Sequence, residues 1–136
     1  MPNTSNALGP NKQMLLEENK TYELNIHPGY RVKLMFGFDA ANENTIILYD
    51  EEYNELVKKD NRNLGNEDWI SQKNDGSSPI RLFLTAWNIN PNDNSIKQSP
   101  YKQISLSREN AYVQIGFEDA TDNDYNDAVV MAKTII

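Results

Sequence analysis

Residues 116–130 read GFEDATDNDYNDAVV and place Glu118, Asp119, Asp122, Asp124 and Asp127 in one short segment. Neither Lys nor Arg occurs between Glu109 and Met131. Only water or a bound cation can therefore relieve the repulsion of these carboxylates locally. Calcium takes roughly six to eight oxygen ligands from carboxylates, amides, backbone carbonyls and water, without strict geometry. Asp119, Asp122, Asp124 and Asp127 supply anionic oxygens, Asn123 and Asn126 supply neutral ones, and an irregular loop can turn its carbonyls inward. Magnesium demands a tighter octahedron, and zinc favours His or Cys, of which the chain has only His27, far away in sequence. Calcium is the cation this donor set suits best. The opening Asp122-x-Asp124-x-Asn126 mimics an EF-hand loop, but Asp127 stands where that loop needs Gly and Lys133 where it needs a bidentate Glu. From the residues alone, a solvated acidic hairpin is the competing reading.

The elements that carry this segment follow from period-two alternation, the pattern of strands with one buried face. Tyr22, Leu24 and Ile26 alternate with Glu23 and Asn25; after Pro28-Gly29 the pattern resumes with Tyr30, Val32, Leu34, Phe36 and Phe38. Further strands are expected over 45–49, 80–87, 103–106, 111–117 and 128–135, separated by segments rich in Asn, Asp, Pro and Gly. DEEYNELVKKD, residues 50–60, reads as a short helix, and an irregular strand is expected around Trp69 and Ile70. NINPNDNSIKQSP, residues 88–100, reads as a polar loop. The expected fold is all-β, a jelly-roll-like sandwich of about seven to nine strands with the calcium loop near the C-terminus, as one domain over residues 1–136. Gly37-Phe38-Asp39-Ala40 echoes Gly116-Phe117-Glu118-Asp119-Ala120, each closing an alternating strand and opening a polar loop. Two such strands can end side by side at one edge of a sandwich.

Composition limits the function classes. The 136 residues carry a formal charge of −7, 38% hydrophobic and 24% charged residues, and no Cys. The pI of 4.6 and mean hydropathy of −0.72 fit a globular chain with generous polar loops. Disulfides, thiolate metal sites and cysteine nucleophiles are excluded. Nucleic-acid phosphates require Lys and Arg clusters that are missing. There is no run of about 18 apolar residues for a membrane span and no secretory signal pattern, so a soluble protein is expected, cytoplasmic or exported by a non-classical route.

The stretch YVQIGFEDATDNDYNDAVV resembles the signature of a bacterial family of calcium-binding β domains, approximately G-F-E-D, a spacer, then D-N-D-[FY]-N-D and an apolar strand. That resemblance implies calcium binding by Asp119, Asp122, Asp124, Asn126 and Asp127. A looser one is to the PA-IL-type calcium lectins, jelly-roll sandwiches that bind galactose through the ion. They end in a strand, an Asp, a loop of six residues, two adjacent amide side chains and a final strand. Asp119 followed by Asn126 and Asp127 matches that spacing, with Asp127 replacing an amide. This second resemblance implies calcium ligation by the carbonyl of Asn123 and by that of Ala41 in the loop 40–42. It also places Asn42, Asp119, Asn123, Asn126 and Tyr125 at the sugar.

The function expected is therefore calcium-dependent carbohydrate binding, with the ion bridging protein and sugar hydroxyls and galactose-type glycans as ligands. The alternative is a calcium-stabilised structural, adhesion or toxin-associated sandwich. Tyr125, Trp69 and Trp87 are candidates to cover the apolar face of a sugar ring, although Trp87, ending a strand, reads rather as core. Catalysis is not expected. A glycosidase draws its carboxylate pair from separated positions around a cleft, and His27 beside Pro28 reads as a turn residue. A homo-oligomer is expected, since lectins gain avidity by presenting several weak sites.

Overall fold

The computed structural model describes residues 16–39, 43–61, 67–89, 92–107, 112–118 and 128–136. A 3-10 turn, Glu18–Lys20, leads into ten strands: β1 (Tyr22–Ile26), β2 (Arg31–Phe38), β3 (Glu43–Tyr49), β4 (Glu55–Asp60), β5 (Trp69–Ile70), β6 (Ile80–Ile89), β7 (Ile96–Gln98), β8 (Tyr101–Ser107), β9 (Tyr112–Phe117) and β10 (Ala128–Ile135). They form two five-stranded sheets. One has the order β1-β6-β3-β4, with β7 also paired to β6; the other has the order β5-β2-β10-β9-β8. Every pairing is antiparallel. The fold is the all-β, jelly-roll-like sandwich that the alternation implies.

Alternation also dictates the core. Leu24 and Ile26, then Val32, Leu34 and Phe36, turn inward from β1 and β2. Ile46 and Leu48 from β3, Leu82, Leu84 and Ala86 from β6, Val113, Ile115 and Phe117 from β9, and Ala128, Val130 and Ala132 from β10 complete one cluster between the sheets. The opposite parity of the first sheet builds a second, smaller cluster of Ile47, Tyr49 and Trp87, against which Leu16 and Phe83 pack. Trp87 is core, as its strand position suggests. Its indole N–H donates to Thr85 Oγ1 at 2.8 Å, and that hydroxyl donates to the Ile47 carbonyl at 2.8 Å. Both polar groups are thus satisfied inside an apolar layer. Trp69 is half-buried and packs against the main cluster.

Two expectations are corrected. Residues 50–60 form no helix. Asp50 closes a turn by accepting the N–H groups of Glu52 and Asn54, each at 2.9 Å, and Glu55–Asp60 is an edge strand paired to β3. Glu, Leu and Lys have good intrinsic helix propensity, but pairing with β3 and the burial of Val57 against the main cluster override it. Residues 88–100 are not loop throughout. β6 runs on to Ile89, and Ile96–Gln98 pairs back with Trp87–Ile89 as a short edge strand. Pro100 lies outside these strands, where its missing N–H interrupts no ladder.

At one end of the sandwich, His27-Pro28-Gly29-Tyr30 carries the chain from the first sheet to the second. Gly29 sits at φ 88°, which only glycine adopts without steric cost, and the Tyr30 N–H donates to the His27 carbonyl at 3.1 Å. His27 is an exposed turn residue. Buried Asn74 braces this turn. Its Nδ2 donates to the carbonyls of Ile26 and Ser78, each at 2.8 Å, and its Oδ1 accepts the Gly76 N–H at 2.9 Å.

Candidate functional site

Strand direction and register gather the termini of the candidate loops at the opposite end. Ala128, the first residue of β10, pairs with Phe38, the last of β2, and with Phe117, the last of β9. The segment 118–127 therefore connects the two central neighbours β9 and β10, and the segment 39–42 leaves from the strand on the other side of β10. The echo between residues 37–38 and 116–117 has a structural counterpart: Gly37 and Gly116 both face Val129, and Phe38 and Phe117 both face Ala128. The two strands end at the same edge with β10 between them.

The residues assigned above to calcium or sugar, Ala41, Asn42, Asp119, Asp122, Asn123, Asp124, Tyr125, Asn126 and Asp127, lie outside the described residues. Residues flanking them are described, and these are held by polar contacts. At the start of β3, buried Asn44 is tied to Asn61 by a reciprocal pair: the Asn44 N–H donates to Asn61 Oδ1 at 3.0 Å, and the Asn61 N–H donates to the Asn44 carbonyl at 3.3 Å. The connection from the first sheet to β8 is fastened similarly. The Ser99 N–H donates to the Ala86 carbonyl at 2.8 Å, and Asn88 Nδ2 donates to Ser99 Oγ at 2.9 Å. Gln98 holds the N-terminal turn, accepting the Glu17 N–H at 2.8 Å and donating to the Lys20 carbonyl at 3.1 Å and Thr21 Oγ1 at 2.9 Å.

Among the described residues the buried carboxylates are Glu118, 2% exposed, and Asp60, 6% exposed. Both lie at this end: Glu118 directly follows Phe117, and Asp60 pairs with Thr45 at the start of β3. Withdrawing an ionised carboxylate from water costs several kcal/mol in order of magnitude unless a cation or hydrogen-bond donors compensate it. Glu118 is absent from the ligand set read from the sequence. Strand parity, with Val113, Ile115 and Phe117 inward, assigns position 118 to the outer face. Its backbone has instead left the ladder, and its N–H donates across to the Pro100 carbonyl at 3.2 Å. The available signal was its adjacency to Asp119. Among the described residues, no group of three or more His, Cys, Asp or Glu side chains is placed to hold a metal.

Tyr22 and Tyr101 join the two sheets near the same end, with ring centroids 5.4 Å apart at 83°, an edge-to-face contact. Burial, then the neighbouring Tyr101, raises the Tyr22 phenol above its ordinary range, so it is a neutral hydrogen-bond donor, here to Gln103 Oε1 at 3.3 Å.

Solved structures with this arrangement define the class of fold. A high-affinity mannose-binding lectin from Ralstonia solanacearum superposes with a TM-score of 0.52 at 21% identity, covering 85% of this chain and 96% of that one. The C-terminal domain of the BC2L-C lectin from Burkholderia cenocepacia gives 0.56 at 20% identity, with 86% and 96% covered. The Chromobacterium violaceum lectin CV2L, in complex with alpha-methyl-fucoside, gives 0.54 at 19% identity, with 85% and 96% covered. The shared property is the sandwich fold. No curated protein sequence matches the chain. Residues 63–134 match the model of the family described as "Domain of unknown function (DUF4114)", and the chain belongs to that family. The matched region contains the whole acidic segment.

Proposed function

We propose that this protein is a calcium-dependent carbohydrate-binding protein. The observation that carries the reading is the pairing of the ends of β9 and β10, which the acidic segment joins in sequence, with buried Glu118 directly after β9. Asp119, Asp122, Asp124, Asn126 and Asp127, with carbonyls of Asn123 and Ala41, form the donor set, and Glu118 joins it as a further carboxylate. Calcium held by such a set keeps positions that two neighbouring sugar hydroxyls can occupy in place of water. Asn42 and Tyr125 would contact the sugar. The protein binds rather than catalyses in this reading, and it presents its sites as a homo-oligomer.

The reading is supported by the fold shared with proteins titled as lectins, one named for mannose and one bound to a fucoside. The glycan panel that tests it therefore carries mannose and fucose beside the galactose-type ligands that the loop spacing suggests. The test is calorimetric titration of calcium into chelator-stripped protein, repeated with Asp119→Ala and Asp127→Ala, followed by the panel with and without calcium. Saturable calcium binding lost in both variants, with glycan binding that requires the ion, is the expected result. Absence of calcium binding overturns it. Calcium binding with no glycan ligand leaves the structural-ion alternative. Light scattering that finds only monomer counts against the oligomer.

A further inference from the structure

On the outer face of the first sheet, Leu16, Glu18, Thr21, Glu23, Tyr53 and Phe83 line an open cleft of about 320 Å³. Its wall is a stacked aromatic pair, the rings of Tyr53 and Phe83 lying 5.4 Å apart at 8°. Tyr53 is held at φ 64°, a conformation that a bulky side chain rarely adopts and that hairpin turns of this kind give to Gly or Asn. The turn fixes it there: the Tyr53 N–H donates to the Asp50 carbonyl, and the Asp50 N–H donates to the Asn54 carbonyl, both at 3.0 Å.

The polar lining is one-sided. The Thr21 hydroxyl is occupied, donating to the Glu17 carbonyl and accepting from Gln98 Nε2, each at 2.9 Å. Glu18 makes no ion pair among the described residues, and Glu23 meets only Arg81 at a loose 3.7 Å. The open polar side chains of the cleft are therefore the carboxylates of Glu18 and Glu23 and the phenol of Tyr53, and the charge they carry is negative. Arg81 already shows what such a surface attracts. Its guanidinium carbon lies 5.5 Å from the Phe83 ring centre, and its nitrogens approach Glu23 at 3.7 Å and Glu51 at 3.9 Å. An anion is repelled here, and a neutral polyol gains no charge attraction from the two carboxylates. A cation with an apolar body meets both the carboxylates and the aromatic wall that Tyr53 presents. We infer that this cleft is a binding site for small organic cations of the substituted ammonium class, distinct from the acidic loop and independent of the carbohydrate reading.

The test uses the full chain in the presence of chelator, so that calcium at the acidic loop plays no part. Amide chemical shifts are followed by NMR while choline, or its uncharged isostere 3,3-dimethyl-1-butanol, is titrated in. Choline is expected to shift the amides of Glu18, Glu23, Tyr53 and Phe83 saturably, and the isostere to bind at least about tenfold more weakly. Glu18→Gln with Glu23→Gln should weaken choline by a similar factor. Tyr53→Asn relieves the left-handed strain, so it should melt no lower than the wild type yet lose the shifts. Equal binding of choline and its isostere, shifts elsewhere only, undiminished binding by Tyr53→Asn, or saturation of the same amides by a methyl hexopyranoside overturns the assignment.

Discussion

Phe38 and Phe117 face one another across a single residue: each is the cross-strand partner of Ala128, one from β2 and one from β9. Ala128 is fully buried between them, and Phe117 is fully buried in the main core. The ends of β2, β9 and β10 are thereby locked to one height, which fixes the roots of both candidate loops. Phe117→Ala removes a buried aromatic and leaves a cavity, with an expected cost of about 3–5 kcal/mol by urea unfolding. Phe38→Ala should cost less, because Phe38 is only partly buried. Under the calcium reading Phe117→Ala also weakens the ion, since the loop loses its anchor. Calorimetry on protein still folded in dilute buffer reads that effect.

Glu118→Gln separates the charge of the buried carboxylate from its shape. In chelator, the melting temperatures of the variant and the wild type set the calcium-free reference, since the substitution nearly preserves the shape of the buried side chain. In excess calcium the wild type should gain more than the variant over that reference, because an ion that binds only the folded state stabilises it by mass action. Calcium affinity of the variant should fall at least about tenfold. Melting curves that respond identically to calcium in both proteins would remove Glu118 from the donor set.

The sequence discloses the frame better than the edges. The strands over 22–26, 31–38, 45–49, 80–87, 112–117 and 128–135 are legible because one face of each meets the core, so period two is written into their side chains. β4 is not, since on an edge strand the packing signal weakens: Leu56 is 40% exposed, and only Val57 turns to the main core. Its lysines, which serve as well on a helix surface, are common guards of a sheet edge. β5 and β7, of two and three residues, are too short to show any period. At the candidate site the motif and the meeting of its two loop roots were legible from the echo of Gly37-Phe38 and Gly116-Phe117. The burial of Glu118 was not, because it depends on the backbone departing from strand geometry toward Pro100.

The far end of the sandwich offers a control. Asn74 uses both amide hydrogens on carbonyls and its oxygen on an N–H, three bonds that join the β1–β2 turn to residues 76–78. At about 1 kcal/mol for each bond, with a further cost for buried groups left unmet, Asn74→Ala should cost about 2–4 kcal/mol. Asn74→Asp should cost at least as much, because it points a second carboxylate oxygen at the carbonyls of Ile26 and Ser78. Calcium affinity of the folded variants should not change, since the strand ends that the acidic segment joins are at the opposite end. A loss of affinity in Asn74→Ala comparable to that in Asp127→Ala would show that the two ends are not independent.

Alkaline stability isolates Tyr49. Its side chain is fully buried in the smaller cluster, and burial, with the nearby Glu55 carboxylate second, raises its phenol above the ordinary value of 10.0. The folded protein therefore keeps this proton at pH values where the unfolded chain releases it. A proton held more tightly by the folded state means stability that is fully present below the unfolded pKa and declines as pH rises through and above it. The decline attributable to one such group is at most about 1.4 kcal/mol per pH unit. Tyr49→Phe removes the titration and keeps the ring, so its unfolding free energy should fall less steeply than that of the wild type above pH 10. Parallel pH profiles for the two proteins would mean that Tyr49 ionises in the folded state as readily as in the unfolded chain, and that the smaller cluster admits water.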